Sequence, residues 1–160
     1  MTFISKTMAL FLIGLFLLLA LPSCSSMLVN KSGIKSYNLG KASDYDISDT
    51  LPRLLRKYQY DILKSYGTEN YNTIETEWKN RYPMDDERIQ KITEGRIRFV
   101  FRIRKTADKL SFVQLEVENM VITPDAPDWI SIPMSKMVEK DIRRFVNELK
   151  REFSEGRLRK

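Results

Sequence analysis

Between residues 96 and 104 two kinds of side chain alternate. Arg96, Arg98, Arg102 and Arg104 share one parity; Ile97, Phe99, Phe101 and Ile103 share the other. A period of two places one set on each face of a β-strand. A second run, about 110–122, follows a short polar turn at 106–108 and alternates in the same way. If Lys105 faces Lys109, paired residue numbers sum to 214. Ile97 then meets Val117, Phe99 meets Leu115 and Phe101 meets Val113. On the other face Arg98 meets Glu116 and Arg96 meets Glu118. A one-residue slip would expose the whole apolar set, so this antiparallel hairpin is the strongest constraint on the fold.

The sheet needs a cover on its apolar face. Ile47, Leu51, Leu54, Leu55, Tyr58, Ile62 and Tyr66 recur at spacings of three and four, which predicts a helix over 49–66. Ser48 or Asp49 would cap it, Pro52 would sit in its first turn and Gly67 would end it. Ile74, Thr76 and Trp78 alternate with Glu75 and Glu77, giving a further strand with Trp78 in the core. Asp85-Asp86-Glu87 opens a short helix. Met134, Val138, Ile142, Phe145, Val146, Leu149 and Phe153 form the stripe of a final helix. The expected domain is a single two-layer α+β unit over 47–160. It has a three- to four-stranded antiparallel sheet covered on one face by two helices.

The first 23 residues read as a removable signal. Lys6 precedes 14 uncharged residues at 8–21, a run shorter than the roughly 20 residues a membrane span requires. Leu21-Pro22-Ser23-Cys24 resembles the lipobox of bacterial lipoproteins, with Pro22 as a departure from the usual small or β-branched residue. The resemblance implies diacylglyceryl attachment to Cys24, and acyl chains at about 0.8 kcal/mol per buried CH₂ would anchor the chain. Ser25 in place of Asp implies, by the same resemblance, sorting to an outer membrane facing the periplasm. Residues 24–46 are rich in Ser, Lys, Asn and Gly and read as a tether, with room for a short strand at 33–38.

Removing 23 residues with one Lys leaves 26 bases against 21 acids, a net charge of +5. Such a surface favours anionic partners: lipid headgroups, lipopolysaccharide or acidic protein. A location outside the cytoplasm argues against nucleic acid. The chain has no His and one Cys, so the commonest general base, the commonest metal ligand and any disulfide framework are missing. It has no nucleophile elbow and no Gly-rich phosphate loop. No catalytic set, metal site or cofactor is expected, and the chain reads as a non-enzyme.

The segment Ile74-Glu75-Thr76-Glu77-Trp78, after an amphipathic helix and before a charged hairpin, resembles the helix-grip domains of the BamC-like family. These are accessory lipoproteins of the outer-membrane β-barrel assembly machine. The resemblance covers about 48–153 in element order and a handful of residues in sequence. It implies a non-catalytic module that binds envelope assembly proteins. The element order is also similar to LptE, the lipoprotein plug of the lipopolysaccharide translocon, and implies lipid or lipopolysaccharide binding as the alternative.

Candidate contact residues follow from the hairpin. In the register above Arg102 and Arg104 face Phe112 and Leu110, not acids, so Arg102, Arg104 and Phe112 form a candidate surface for a partner or anionic ligand. The rest of the arginine row is a solvated face neutralised by Glu75, Glu77, Glu116 and Glu118, where each exposed pair contributes roughly 0.2–1 kcal/mol. Trp129, between prolines and a helix start, is either an exposed anchor or a lid over the core edge. Asp85-Asp86-Glu87 is read as a helix cap, without the spaced oxygens of a calcium loop. The basic C-terminus (Lys150, Arg151, Arg157, Arg159, Lys160) either complements the helix dipole or touches anionic lipid.

Overall fold

The computed structural model describes residues 33–106 and 110–158. The signal segment, Cys24, the first part of the tether, the hairpin turn at 107–109 and the last two residues lie outside these.

The described chain runs β1 (Ile34–Ala42), a π-type turn (Asp46–Thr50), α1 (Leu51–Lys57), β2 (Ile62–Gly67), β3 (Tyr71–Thr76), β4 (Lys79–Arg81), α2 (Asp85–Ile89), β5 (Glu94–Lys105), β6 (Ser111–Thr123), β7 (Ala126–Ser131) and α3 (Lys136–Leu158). The strands form one antiparallel sheet in the order β1-β6-β5-β3-β2. β4 continues the β3 side of β5, and β7 continues the β1 side of β6. The fold is α+β, but with seven strands and three helices. The expected three- to four-stranded sheet with two helices is corrected on both counts.

Three local causes account for the extra strands. Residues 34–42, read as tether with room for a short strand at 33–38, form one longer strand paired with β6, with Leu39 and Ala42 buried. Only one face of β1 is apolar, and Lys35, Ser36 and Lys41 disguise it. The helix expected over 49–66 stops at Lys57. Gln59 takes φ 58° and the Tyr60 N–H bonds to the Leu55 carbonyl at 2.9 Å, the 6→1 bond of a Schellman ending. Ile62 and Tyr66 therefore stand on β2, an edge strand exposed throughout. The third cause is Pro124-Asp125, which turns the chain back along β6 as β7. Pro127 is tolerated there because β7 is an edge.

The central hairpin forms with a different register. Arg98 faces Glu118, Phe99 faces Val117 and Phe101 faces Leu115, so paired numbers sum to 216. A shift of two keeps every side chain on its face, so the apolar pattern is equally satisfied by 214 and 216. The turn decides between them. Lys105 pairs with Ser111, and both the Thr106 N–H (2.8 Å) and hydroxyl (2.7 Å) bond to the Leu110 carbonyl.

Trp78 is the other correction. β3 ends at Thr76, whose hydroxyl accepts the Phe99 N–H at 3.0 Å where a backbone carbonyl would otherwise continue the ladder. The alternation stops there, and Trp78 is half-buried against arginines instead of entering the core.

The inner face of the sheet carries Ile97, Phe99, Phe101, Ile103, Val113, Leu115 and Val117. It packs against Leu51, Leu54 and Leu55 of α1 and Val138, Ile142, Phe145, Val146, Leu149 and Phe153 of α3. All of the stripe foreseen for α3 from Val138 onward is buried. At the centre Phe99 stacks on Tyr60 (4.1 Å between centroids) and on Phe145 (4.8 Å). Ion pairs fasten the helices at their margins: Lys35–Glu139 (2.6 Å), Lys57–Glu148 (2.6 Å) and Arg53–Glu152 (3.1 Å).

Candidate functional site

The helices pack on the inner face of the sheet. The outer face of the hairpin carries the arginine row, and the structure divides that row into three environments.

Arg98 is neutralised. Its guanidinium pairs with Glu118 at 2.7 Å and with Glu75 at 3.5 Å. Glu75 is buried and also accepts the Tyr66 hydroxyl at 2.5 Å and meets Lys64 at 3.4 Å. The Tyr66 hydrogen bond, joined by Lys64 and Arg98, holds its carboxyl below the usual carboxylate range.

Arg96 lies against two indole rings, 4.5 Å from the centroid of Trp78 and 4.2 Å from that of Trp129. Its Nη2 meets the Met120 sulfur at 3.3 Å, and its buried Nε has no hydrogen-bond partner. Burial, then neighbouring Arg98, lowers its pKa. Cation–π contact replaces a carboxylate in holding this charge. Trp129 is thus half-buried on β7, closing over Arg96.

The far end of the row is open. Arg102 faces Gln114 and reaches diagonally to Glu116 at 2.7 Å, which raises its pKa. Arg104 faces Phe112, its guanidinium 5.7 Å from the ring centroid. The Lys41 ammonium approaches the same ring at 5.5 Å. Phe112 is 39% exposed and Tyr71, paired with Arg104 across β3, is 55% exposed. Ser36, Asn38, Tyr71, Arg102, Arg104, Phe112 and Gln114 line one open groove of about 680 Å³. Among the described residues no carboxylate pairs with Arg104.

Of the four contact residues foreseen, Arg102, Arg104 and Phe112 therefore meet in one groove. Trp129 does not join them: it sits on Arg96, eight residues along β5 from Arg104, or about 27 Å at a strand's rise. Arg102 is largely committed to Glu116, so Arg104 carries the available charge. Lys41 and Tyr71 were missed. Lys41 fell in the assumed tether, and Tyr71 preceded the first clear alternation. The parity of Tyr37, Leu39 and the buried Ala42 would not have helped, because a bulge between Asn38 and Gly40 shifts the register there.

A buried polar cluster lies elsewhere, at the end of β5. Arg81 clasps Glu87 in a bidentate pair (2.5 and 2.7 Å) and donates to the Asn119 side chain at 2.8 Å. Glu87 also accepts the Met84 N–H at 3.0 Å, so the acidic run does cap α2. Among the described residues no three potential metal ligands cluster, and no helix is long and apolar enough to cross a membrane. Arg157, Arg159, Lys160 and Cys24 lie outside the side chains described. The chain matches no protein-family model, no curated protein and no solved structure, so its geometry and chemistry carry the functional reading.

Proposed function

We propose that this chain is a non-catalytic lipoprotein, anchored through a lipidated Cys24 in the outer membrane and facing the periplasm. Its folded domain is an accessory binding module in envelope assembly. The observation that carries this reading is the asymmetry of the two layers. The apolar stripes of α1 and α3 close over the inner face, while the outer face keeps an open groove with Arg104 and Lys41 flanking the exposed ring of Phe112. An aromatic flanked by cations, one of them free of carboxylates, suits an acidic protein surface. Arginine and aromatic residues are where binding energy concentrates in such contacts. The lipobox at Leu21-Pro22-Ser23-Cys24 supports the envelope setting.

The test is a crosslinked pull-down of tagged full-length protein from native membranes, with Cys24→Ser and Arg104→Ala/Phe112→Ala as comparisons. Recovery of barrel-assembly subunits, lost with Cys24→Ser and reduced at least about tenfold by the groove variant, is the expected result; two truncated hot-spot residues at about 1 kcal/mol or more each account for that reduction. Recovery of the same bulk membrane proteins by all three forms would overturn the reading.

The cation–aromatic pairing also favours a second reading, binding of anionic lipid or lipopolysaccharide by the same groove. A fragment starting at residue 47 would lack β1, so the comparison requires residues 31–160. Equal binding to anionic vesicles by this fragment and its Arg102→Ala/Arg104→Ala variant would end that reading.

A further inference from the structure

On the opposite side of the sheet, where β4 and β5 meet α3, a crevice of about 240 Å³ opens to solvent. Its accessible apolar surface comes from the half-buried Tyr58 and Met84, over the almost wholly buried Ile97, Phe99, Ile142 and Phe145. Its rim is cationic, with Lys79, Arg81 and Arg144 against Asp141. Arg81 is consumed by Glu87, and Arg144 meets Asp141 only at 3.7 Å with both side chains exposed. Lys79 has no carboxylate partner among the described residues. It donates one hydrogen bond, to the Tyr58 carbonyl at 2.7 Å, and lies 4.9 Å from the Tyr60 ring centroid. Two of its three N–H donors have no acceptor among the described residues.

We propose that this crevice binds a small anionic amphiphile, a medium-chain carboxylate, with its chain against Tyr58 and Met84 and its carboxylate at Lys79 and Arg144. Three features carry the assignment. The half-buried Tyr58 and Met84 reward an apolar chain, because burying each CH₂ against them removes apolar surface from water. The space suits a chain of medium length: at roughly 30 Å³ for each water-sized group, 240 Å³ accommodates about eight. The rim sets the charge, since an incoming carboxylate supplies the acceptors that Lys79 lacks. Burial already disfavours the Lys79 ammonium and lowers its pKa, so an anion placed there relieves an existing penalty. The site is independent of the outer groove, and either can fail without the other.

Met84 lines the crevice, whereas Met120 lies on the outer face beside Arg96. The experiment labels methionine methyl groups with ¹³C in the full-length protein, held in zwitterionic lipid nanodiscs, and titrates sodium octanoate. The expected result is a saturable shift of the Met84 resonance with Met120 unmoved. Lys79→Met, which keeps the apolar stem, should weaken binding at least about tenfold, or about 1.4 kcal/mol. Lys79→Arg should retain binding, and the exposed Arg144→Gln should weaken it several-fold without touching the core. 1-Octanol should bind at least about tenfold more weakly than octanoate, as a ligand without the charge. The proposal is overturned if Met84 does not move, or if Met84 and Met120 drift together without saturation, as partition into the bilayer would give. Equal affinity for octanol, or unchanged octanoate affinity in both Lys79→Met and Arg144→Gln, would overturn it as well.

Discussion

Single residues hold this fold at places where their replacement has few alternatives. Glu87 is 1% exposed, and its two oxygens are taken by Arg81 and the Met84 N–H. Removing one member of a buried pair leaves the other charge without compensation, which costs roughly 3–5 kcal/mol. Glu87→Ala should lower the free energy of urea unfolding by that amount, and a change under about 1 kcal/mol would show Arg81 finding another partner. Gly95 belongs to the same arrangement. A Cβ there would stand 2.7 Å from the Arg81 guanidinium carbon, so Gly95→Ala should also destabilise, by pushing Arg81 off Glu87. The two losses should be strongly non-additive, because both break one interaction. A double variant as unstable as the sum of the two singles would refute that coupling. None of this was visible from spacing, since Arg81, Gly95 and Asn119 are adjacent only across strands.

At the scale of elements, where each piece ends matters as much as where its apolar stripe lies. α1 and α2 both close on a residue in the left-handed region, Gln59 at φ 58° and Lys91 at φ 60°, followed by a 6→1 bond. A left-handed conformation costs a side-chain-bearing residue roughly 1–2 kcal/mol, and glycine little. Lys91→Gly should therefore raise stability by about 0.5–1 kcal/mol, although glycine inside a helix costs about that much. A lower melting temperature for Lys91→Gly would refute this account of the ending. The apolar spacing across 47–66 was real, yet it concealed the stop at Gln59, because no Gly or Pro announces it. The helical start was likewise earlier than Ser48. Ser43 and Asp46 form a reciprocal pair, the Ser43 N–H donating to the carboxylate at 2.8 Å and the Asp46 N–H to the Ser43 hydroxyl at 3.2 Å. That is the S-x-x-D pattern of a capping box, legible in the sequence but hidden by the tether assignment.

For the whole molecule, elements distant in sequence are joined by three carboxylates whose pKa values are displaced downward: Glu139 ties α3 to β1, Glu148 ties α3 to α1, and Glu75 ties β3 to β2 and β5. Glu139 is lowered chiefly by the Lys35 hydrogen bond, Glu148 by that of Lys57 and Glu75 by that of Tyr66. A carboxyl whose folded pKa lies below its unfolded value contributes stability above the unfolded value. That contribution disappears as the pH falls through the folded one. The melting temperature should accordingly be flat near neutrality and fall once the pH drops below the ordinary 4.5. Glu148→Gln should lower it at neutral pH and narrow the gap between neutral and acid. An unchanged gap would mean that Glu148 does not report on docking of α1 against α3.

The sequence by itself determined the apolar faces of β5, β6 and α3, the β5–β6 hairpin, the cap at Asp85-Asp86-Glu87 and the common face of Arg102, Arg104 and Phe112. These follow from periods of 2.0 and 3.6, which are local properties of the backbone. Tertiary structure decided what periodicity leaves degenerate. The hairpin register differs by two from the one first favoured because both satisfy the same faces, and the turn chooses. β1, β2 and β7 are strands because an existing sheet offers them ladder partners, and short polar segments show no such preference alone. Trp78 and Trp129 close over Arg96 because β3 ends one turn of chain early and β7 folds back beside β6. Arg104 rather than Arg102 is left without a carboxylate partner among the described residues because Glu116 pairs with Arg102 in this register.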